Sequence, residues 1–250
     1  MRKSAARLRR SPRRAPPSYP VRIEDYALIG DLQTAALVGR NGSLEWLCLP
    51  RFDSPACFSA LLGDESHGHW LIEPVADVIS TSRRYRPGTL VLETELETAD
   101  GAVRLIDLMP IRDDAPNVIR LVEGVRGTVE MRMSLVIRFD YGATVPWVEA
   151  TEGGIAAGGG PNTIYLRTPV RLRGRDFTTV AEFTVRERET VPFTLAWSPS
   201  HEPPPPAIDP GWALATTDSW WREWSGRCAY EGEWREEVLR SLITLSLIHI

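Results

Sequence analysis

Arg51 and Asp53, in the corner Pro50-Arg51-Phe52-Asp53-Ser54-Pro55, are the best candidates in this chain for handling a ligand. A planar guanidinium and a carboxylate bind hydroxyls, and a neighbouring aromatic ring stacks on the apolar face of a sugar. The competing reading is structural: the two form an internal ion pair, or Asp53 caps a helix opened by Ser54-Pro55. His67-Gly68-His69 places two imidazoles at alternate positions, which share one face of a strand, but no third ligand follows and zinc sites take three or four. The adjacent acids Glu24-Asp25, Asp113-Asp114 and Glu236-Glu237 point in different directions on strand or helix, so they read as solvated charges rather than an acid–base pair. Trp220, Trp221 and Trp224 could stack on a sugar. At spacings of one, three and four on a helix they read first as packing. The glycine-dense loop Gly153–Gly160 lacks the spacing of a phosphate-binding fingerprint and reads as a flexible turn. With no nucleophile elbow and no supported Cys–His pair, no catalytic residue, metal set or cofactor is expected here.

These residues need elements to hold them. The runs Thr34–Val38 and Leu44–Leu49 flank Asn41-Gly42, a strong signal for a two-strand turn. Strand two ends at Pro50, and Ser54-Pro55 predicts a short helix carrying Phe58, Leu61 and Leu62. From Gly88 to Ser198, short alternating runs recur about every ten residues, the rhythm of a sandwich or barrel. Asp100-Gly101 marks another hairpin. In Val129–Phe139 the set Glu130, Arg132, Ser134 alternates with Met131, Met133, Leu135, so one face is wet and the other is core. After His201-Glu202 and four prolines the pattern becomes helical, over Ala213–Trp224 and then Glu233–Leu245, with an apolar stripe Trp234, Val238, Leu242, Leu245.

Composition narrows the classes. The chain has 250 residues, 43% hydrophobic, and a net charge of −4. Residues 1–18 hold seven Lys/Arg and no acid, and read as a disordered tail, leaving an acidic remainder at −11. An acidic body disfavours nucleic acid as a partner. No window approaches a membrane span, and no apolar stretch makes a secretion signal of the tail. Three widely spaced cysteines, Cys48, Cys57 and Cys228, suggest neither a disulfide framework nor a zinc pattern, so a cytoplasmic location is expected.

The stretch Ile23–Asp64, IEDYALIGDLQTAALVGRNGSLEWLCLPRFDSPACFSALLGD, resembles the opening of bacterial family 15 glycoside hydrolases, the glucoamylase and trehalase-like group. The likeness continues more loosely to about residue 244. It implies a mainly β fold: an antiparallel β-sandwich over 19–200, a Pro-rich linker and linker helix over 201–232, and from 233 the first helix of a truncated (α/α)6 barrel. It also implies inverting hydrolysis of an α-glucoside such as trehalose or a maltooligosaccharide. That chemistry needs two carboxyls about 6.5–9.5 Å apart. The family's glutamate motifs lie in the barrel and match nothing here, so the chain is expected to be an inactive N-terminal fragment, with Arg51 and Asp53 as its substrate-binding candidates. Leu245–Ile250, LSLIHI, matches a translated transposon-end sequencing adapter and is expected to be artefactual. Removing 207–250 is expected to improve solubility. The alternative is a non-catalytic β-sandwich that binds carbohydrate or supports a partner domain. Oligomeric state is left open.

Overall fold

The tract from residue 117 to residue 136 holds two apolar runs suited to different surroundings. Val118–Val122, apolar but for Arg120, wants cover on both faces, whereas Val129–Leu135 alternates and wants cover on one. In the computed structural model, which describes residues 22–247, both runs lie in a single twenty-residue strand rather than the two that the ten-residue rhythm predicts. Gly124-Val125-Arg126-Gly127 between them makes a bulge instead of a turn: Val103 pairs with Gly124 and Ala102 with Arg126, leaving Val125 over. Glycine is required at both ends of that bulge. Gly127 has φ +67°, and a Cβ on Gly124 would lie 1.9 Å from the Arg186 carbonyl oxygen.

In chain order the strands are β1 (Tyr26–Gly30), β2 (Ala35–Gly39), β3 (Ser43–Cys48), β4 (Ala56–Phe58), β5 (His69–Pro74), β6 (Ser80–Tyr85), β7 (Leu92–Glu97) and β8 (Gly101–Leu108). Then come β9 (Asn117–Val136), β10 (Trp147–Thr151), β11 (Gly154–Gly159), β12 (Asn162–Arg167), β13 (Arg173–Arg175), β14 (Thr178–Arg186) and β15 (Thr190–Pro199). All pair antiparallel in one continuous sheet that doubles over at β9. The first half of β9 lies between β8 and β15, and its second half lies between β5 and β14. Strands that change layer through a bulge are a known way of turning a sheet into a sandwich. The mainly β expectation holds, as do the hairpins at Asn41-Gly42 and Asp100-Gly101.

Two local expectations are corrected. Ser54-Pro55 opens no helix; Ala56–Phe58 is strand β4, fully buried against β3, and only a 3-10 turn at Ala60–Leu62 follows. Burial of Ala56, Cys57 and Phe58 outweighs the capping signal. Gly153–Gly160 is not a flexible turn either. Gly154–Gly159 forms β11, with Gly153 and Gly160 at φ +75° and +59° making the turns at its ends. The basic tail expected over 1–18 lies outside the described residues, as do 248–250 of the supposed adapter segment.

The main core lies between the layers and includes Leu44, Trp70, Ile72, Leu105, Val122 and Phe193. Inside it sits a charge pair. Arg120 and Asp107 are both 0% exposed, with Nε donating to Oδ1 at 2.8 Å. The same guanidinium donates across the sandwich to the carbonyls of Trp70 at 2.6 Å and Gly42 at 2.5 Å, and lies over the Trp70 ring. One arginine thus satisfies backbone carbonyls at β5 and at the β2–β3 turn.

Helix α1 (Pro210–Ser225) starts at Asp209, whose carboxylate accepts from Trp212 N at 2.6 Å, with Pro210 in the first turn. Its Ala213 covers Val91, Ile106, Leu108, Ile119 and Leu121 on the outer face of the sheet. Helix α2 (Arg235–Ser246) buries Ile243, and Leu247 just beyond it, against Ala35, Leu90 and Trp221. The expected stripe stays largely uncovered: Trp234, Leu242 and Leu245 are 59%, 40% and 50% exposed. Arg240 fixes the helix instead, stacking over Tyr85 at 3.8 Å and donating to the Thr89 carbonyl.

Candidate functional site

Arg51 to Ser54 form a turn closed twice, by Ser54 N to the Arg51 carbonyl and by Arg51 N to Ser54 Oγ, both at 3.1 Å. Within it Arg51 Nε and Nη2 donate to the two oxygens of Asp53 at 3.0 and 2.9 Å. The side chains are 65% and 70% exposed, so the pair adds little stability and presents both groups to solvent. Asp53 caps no helix.

The corner is tied to a buried cluster. Phe52 N donates to the Gln33 carbonyl at 3.1 Å, and Arg112 reaches Gln33 Oε1 at 3.2 Å. Arg112 also grips Asp31 through Nε and Nη2 at 2.9 and 2.7 Å. The Asp31 carboxylate further accepts from the backbone of Gln33 and Thr34, which shapes the β1–β2 connection. Asp31 and Arg112 are 0% and 6% exposed. Both escaped the sequence reading. An Asp followed by Leu-Gln-Thr at a strand end signals an Asx turn, but nothing local announces a partner 81 residues away.

Arg112 runs directly into Asp113-Asp114. These two acids, with Pro110, Trp212 and Trp220, line a cleft of about 400 Å³ between the β8–β9 connection and α1. The tryptophan cluster divides accordingly. Trp221 is fully buried, with Trp220 and Trp224 edge-on to it at 5.0 and 5.8 Å, so it is packing, while Trp220 also faces the cleft and Trp212 stands at its lip. Three of the sequence candidates, Arg51–Asp53, Asp113–Asp114 and Trp220, are thus joined along one route through Gln33, Arg112 and the Pro110–Ala115 connection. The vicinal carboxylates and indoles of the cleft suit a polyhydroxylated ligand with an apolar face, and Arg51 and Asp53 are not among the residues that line it.

The remaining candidates are not brought there. His67 lies 3.2 Å from Asp64 on the surface, whereas His69 is buried against the Glu65 carbonyl, because Gly68 at φ +107° turns the chain between them. Asp25 is held by Arg40, Glu24 by Arg22, and Glu236-Glu237 stand in the first turn of α2. Among the described residues, no three His, Cys, Asp or Glu side chains gather as a metal site. Burial pushes the Cys48 thiol up to about 11 and raises that of Cys57 as well, which keeps both protonated and unreactive. Among the described residues, no helix is long and apolar enough to cross a membrane.

The family model described as "Trehalase-like, N-terminal" matches residues 17–194. Among curated proteins, a trehalase of Mycobacterium tuberculosis is 34% identical over 89% of this chain and 37% of its own length. A trehalase of Thermoplasma volcanium is 27% identical over 92% of this chain and 38% of its own. The chain therefore spans less than two fifths of these relatives. Among solved structures, a bacterial glucoamylase complexed with acarbose superposes with a TM-score of 0.61, over 92% of this chain and 41% of that one, at 8% identity, a likeness of fold alone.

Proposed function

Because this chain belongs to the trehalase-like N-terminal family, we propose that it is the β-domain portion of an α-glucoside hydrolase acting on trehalose or maltooligosaccharides. The observation that carries the reading is the match over residues 17–194, together with the trehalase relatives that extend well beyond it. On this reading the hydrolytic carboxyls belong to a helical barrel that α2 begins, and the present chain hydrolyses nothing alone. The state of its own carboxylates supports that. Asp31, Asp53, Asp107 and Glu93 are each engaged by arginine, and Asp113 and Asp114 are sequence neighbours rather than groups facing each other across a gap. Three unpaired thiols support a reducing cytoplasmic setting.

We assign Arg51 and Asp53 to substrate recognition at the edge of that site. The test uses the purified chain and a longer product, this chain fused to the part of the Mycobacterium tuberculosis trehalase that lies beyond the matched region, each offered trehalose and maltotriose. Glucose release is expected from the longer product only. In that product Asp53→Asn should lower kcat/KM at least tenfold with an unchanged Tm, since the exposed pair contributes little to folding. Glucose release by the present chain, abolished by a substitution within it, would overturn the proposal.

A further inference from the structure

Trp147 and Phe177 are the most exposed aromatic side chains among the described residues, each 81% exposed, and they line the same cleft. The cleft has a volume of about 460 Å³, within the ~300–1,000 Å³ usual for small-ligand sites. It opens where the free edge of β10 meets the β13–β14 hairpin, at the opposite end of the strand order from β1. Its floor is apolar, from Leu135, Ile137, Ile155 and Leu172.

Phe177 is not there for packing, and its backbone says so. Asp176 and Phe177 have φ +49° and +58°, the left-handed pair that a two-residue hairpin needs and that Asn-Gly adopts without strain. A phenylalanine in that position is strained and its ring is bare, yet the turn is stapled from below by Arg138, which donates to the carbonyls of Ile137 at 2.7 Å and Phe177 at 3.3 Å. Strain kept without a packing return points to a binding role. The rim supplies hydrogen-bonding groups that are not otherwise engaged. Among the described residues Glu149 and Arg173 have no ion-pair partner, and Arg175 only grazes Asp176 at 3.8 Å.

We propose that this cleft binds a gluco-oligosaccharide, with the rings of Trp147 and Phe177 against the apolar faces of its pyranoses and the rim guanidinium and carboxylate groups on its hydroxyls. Two fixed aromatic lips, an apolar floor and a planar polar rim match the two chemical faces of such a chain. That the linkage is α rests on the function proposed above.

The test is calorimetric titration of the full chain with maltoheptaose, with cellohexaose as the β-linked comparison. Binding of maltoheptaose is expected, weakened at least tenfold by Trp147→Ala and by Phe177→Ala. Phe177→Gly should lose the same affinity while keeping or raising Tm, because glycine relieves the turn. Three results would overturn the site: no heat with either sugar, affinity unmoved by these substitutions, or a dimer in sedimentation that Trp147→Ala abolishes while no sugar binds, which would make β10 a protein-pairing edge. Tighter binding of cellohexaose would overturn the α assignment. Hydrolysis by the fusion described above is measured separately, so its failure and failure here are distinguishable.

Discussion

Arg120 directs its donors to one carboxylate and two backbone carbonyls, and its head is fully buried. Such a pair is costly to desolvate, and removing one member leaves the other charge stranded, at about 3–5 kcal/mol. Arg120→Met should therefore destabilise the fold by about that much in denaturant melts, and Asp107→Leu likewise. The double variant should be closer to wild type than the two losses added together, because it strands no charge, although the Gly42 and Trp70 carbonyls still lose their donor. Additive losses would show that the pair acts only by filling space. Glu93 offers a pH-linked counterpart. Burial alone raises its pKa, but hydrogen bonds from Arg86 and Arg84 outweigh that and hold it below the ordinary value. The unfolded chain thus takes up the proton first: the stabilisation is complete above about pH 4.3 and is lost as pH falls through the depressed folded value. Glu93→Gln should flatten that acid limb of a stability-versus-pH curve and cost stability at neutral pH. An unchanged acid limb would count against this assignment.

At the scale of elements, the helices prove to be part of the β-domain's cover. Ala213 on α1 and Ile243 with Leu247 around α2 sit on sheet surface that is itself apolar, and Gly30 admits the Leu247 methyls so closely that a Cβ there would lie 2.9 Å away. This cover argues against the expectation that removing residues 207–250 improves solubility. That deletion bares Val91, Ile106, Leu108, Ile119 and Leu121, each now buried. Soluble yield of the shortened chain should fall, and its binding of a hydrophobic dye should rise. A gain in soluble yield would show that the helices are not needed as cover. Helix α2 carries two apolar stripes one position apart, and only Ala35, Leu90 and Trp221, distant in sequence, decide which of them is covered.

Across the whole molecule, legibility followed range. The Asn41-Gly42 and Asp100-Gly101 hairpins, the alternation of Met131, Met133 and Leu135, and both helices rest on neighbours in sequence, and all could be read. Strand β4 could not, because its capping-like Ser54-Pro55 says helix and only burial against β3 says strand. The Arg51–Asp53 pair was visible, whereas the Asp31–Arg112 cluster beneath it depends on a contact 81 residues long. The doubling of the sheet at Gly124–Gly127 was also hidden, since a bulge and a turn draw on the same glycines. Because β9 lies central in both layers, the layers should melt together. Tryptophan fluorescence, with Trp70 in the core and Trp221 under the helices, should give one urea transition coincident with far-UV circular dichroism. Separate transitions would mean that the shared strand does not couple them.

The long strand also sets a clock. Pro74 on β5 pairs with Met131 on β9, which the ribosome delivers about sixty residues later, some ~3–12 s at ~5–20 residues per second. Through that interval β1 to β5 exist without the strand that closes their edge, and Trp70 and Ile72 have no opposing layer. The nascent chain is thus exposed to mispairing in proportion to the time spent waiting. Lowering the synthesis rate prolongs that wait, so soluble yield should drop when translation is slowed between codons 75 and 130, even though the finished protein is unaltered. Equal yield from slow and fast synonymous genes would show that the waiting strands are sheltered by other means.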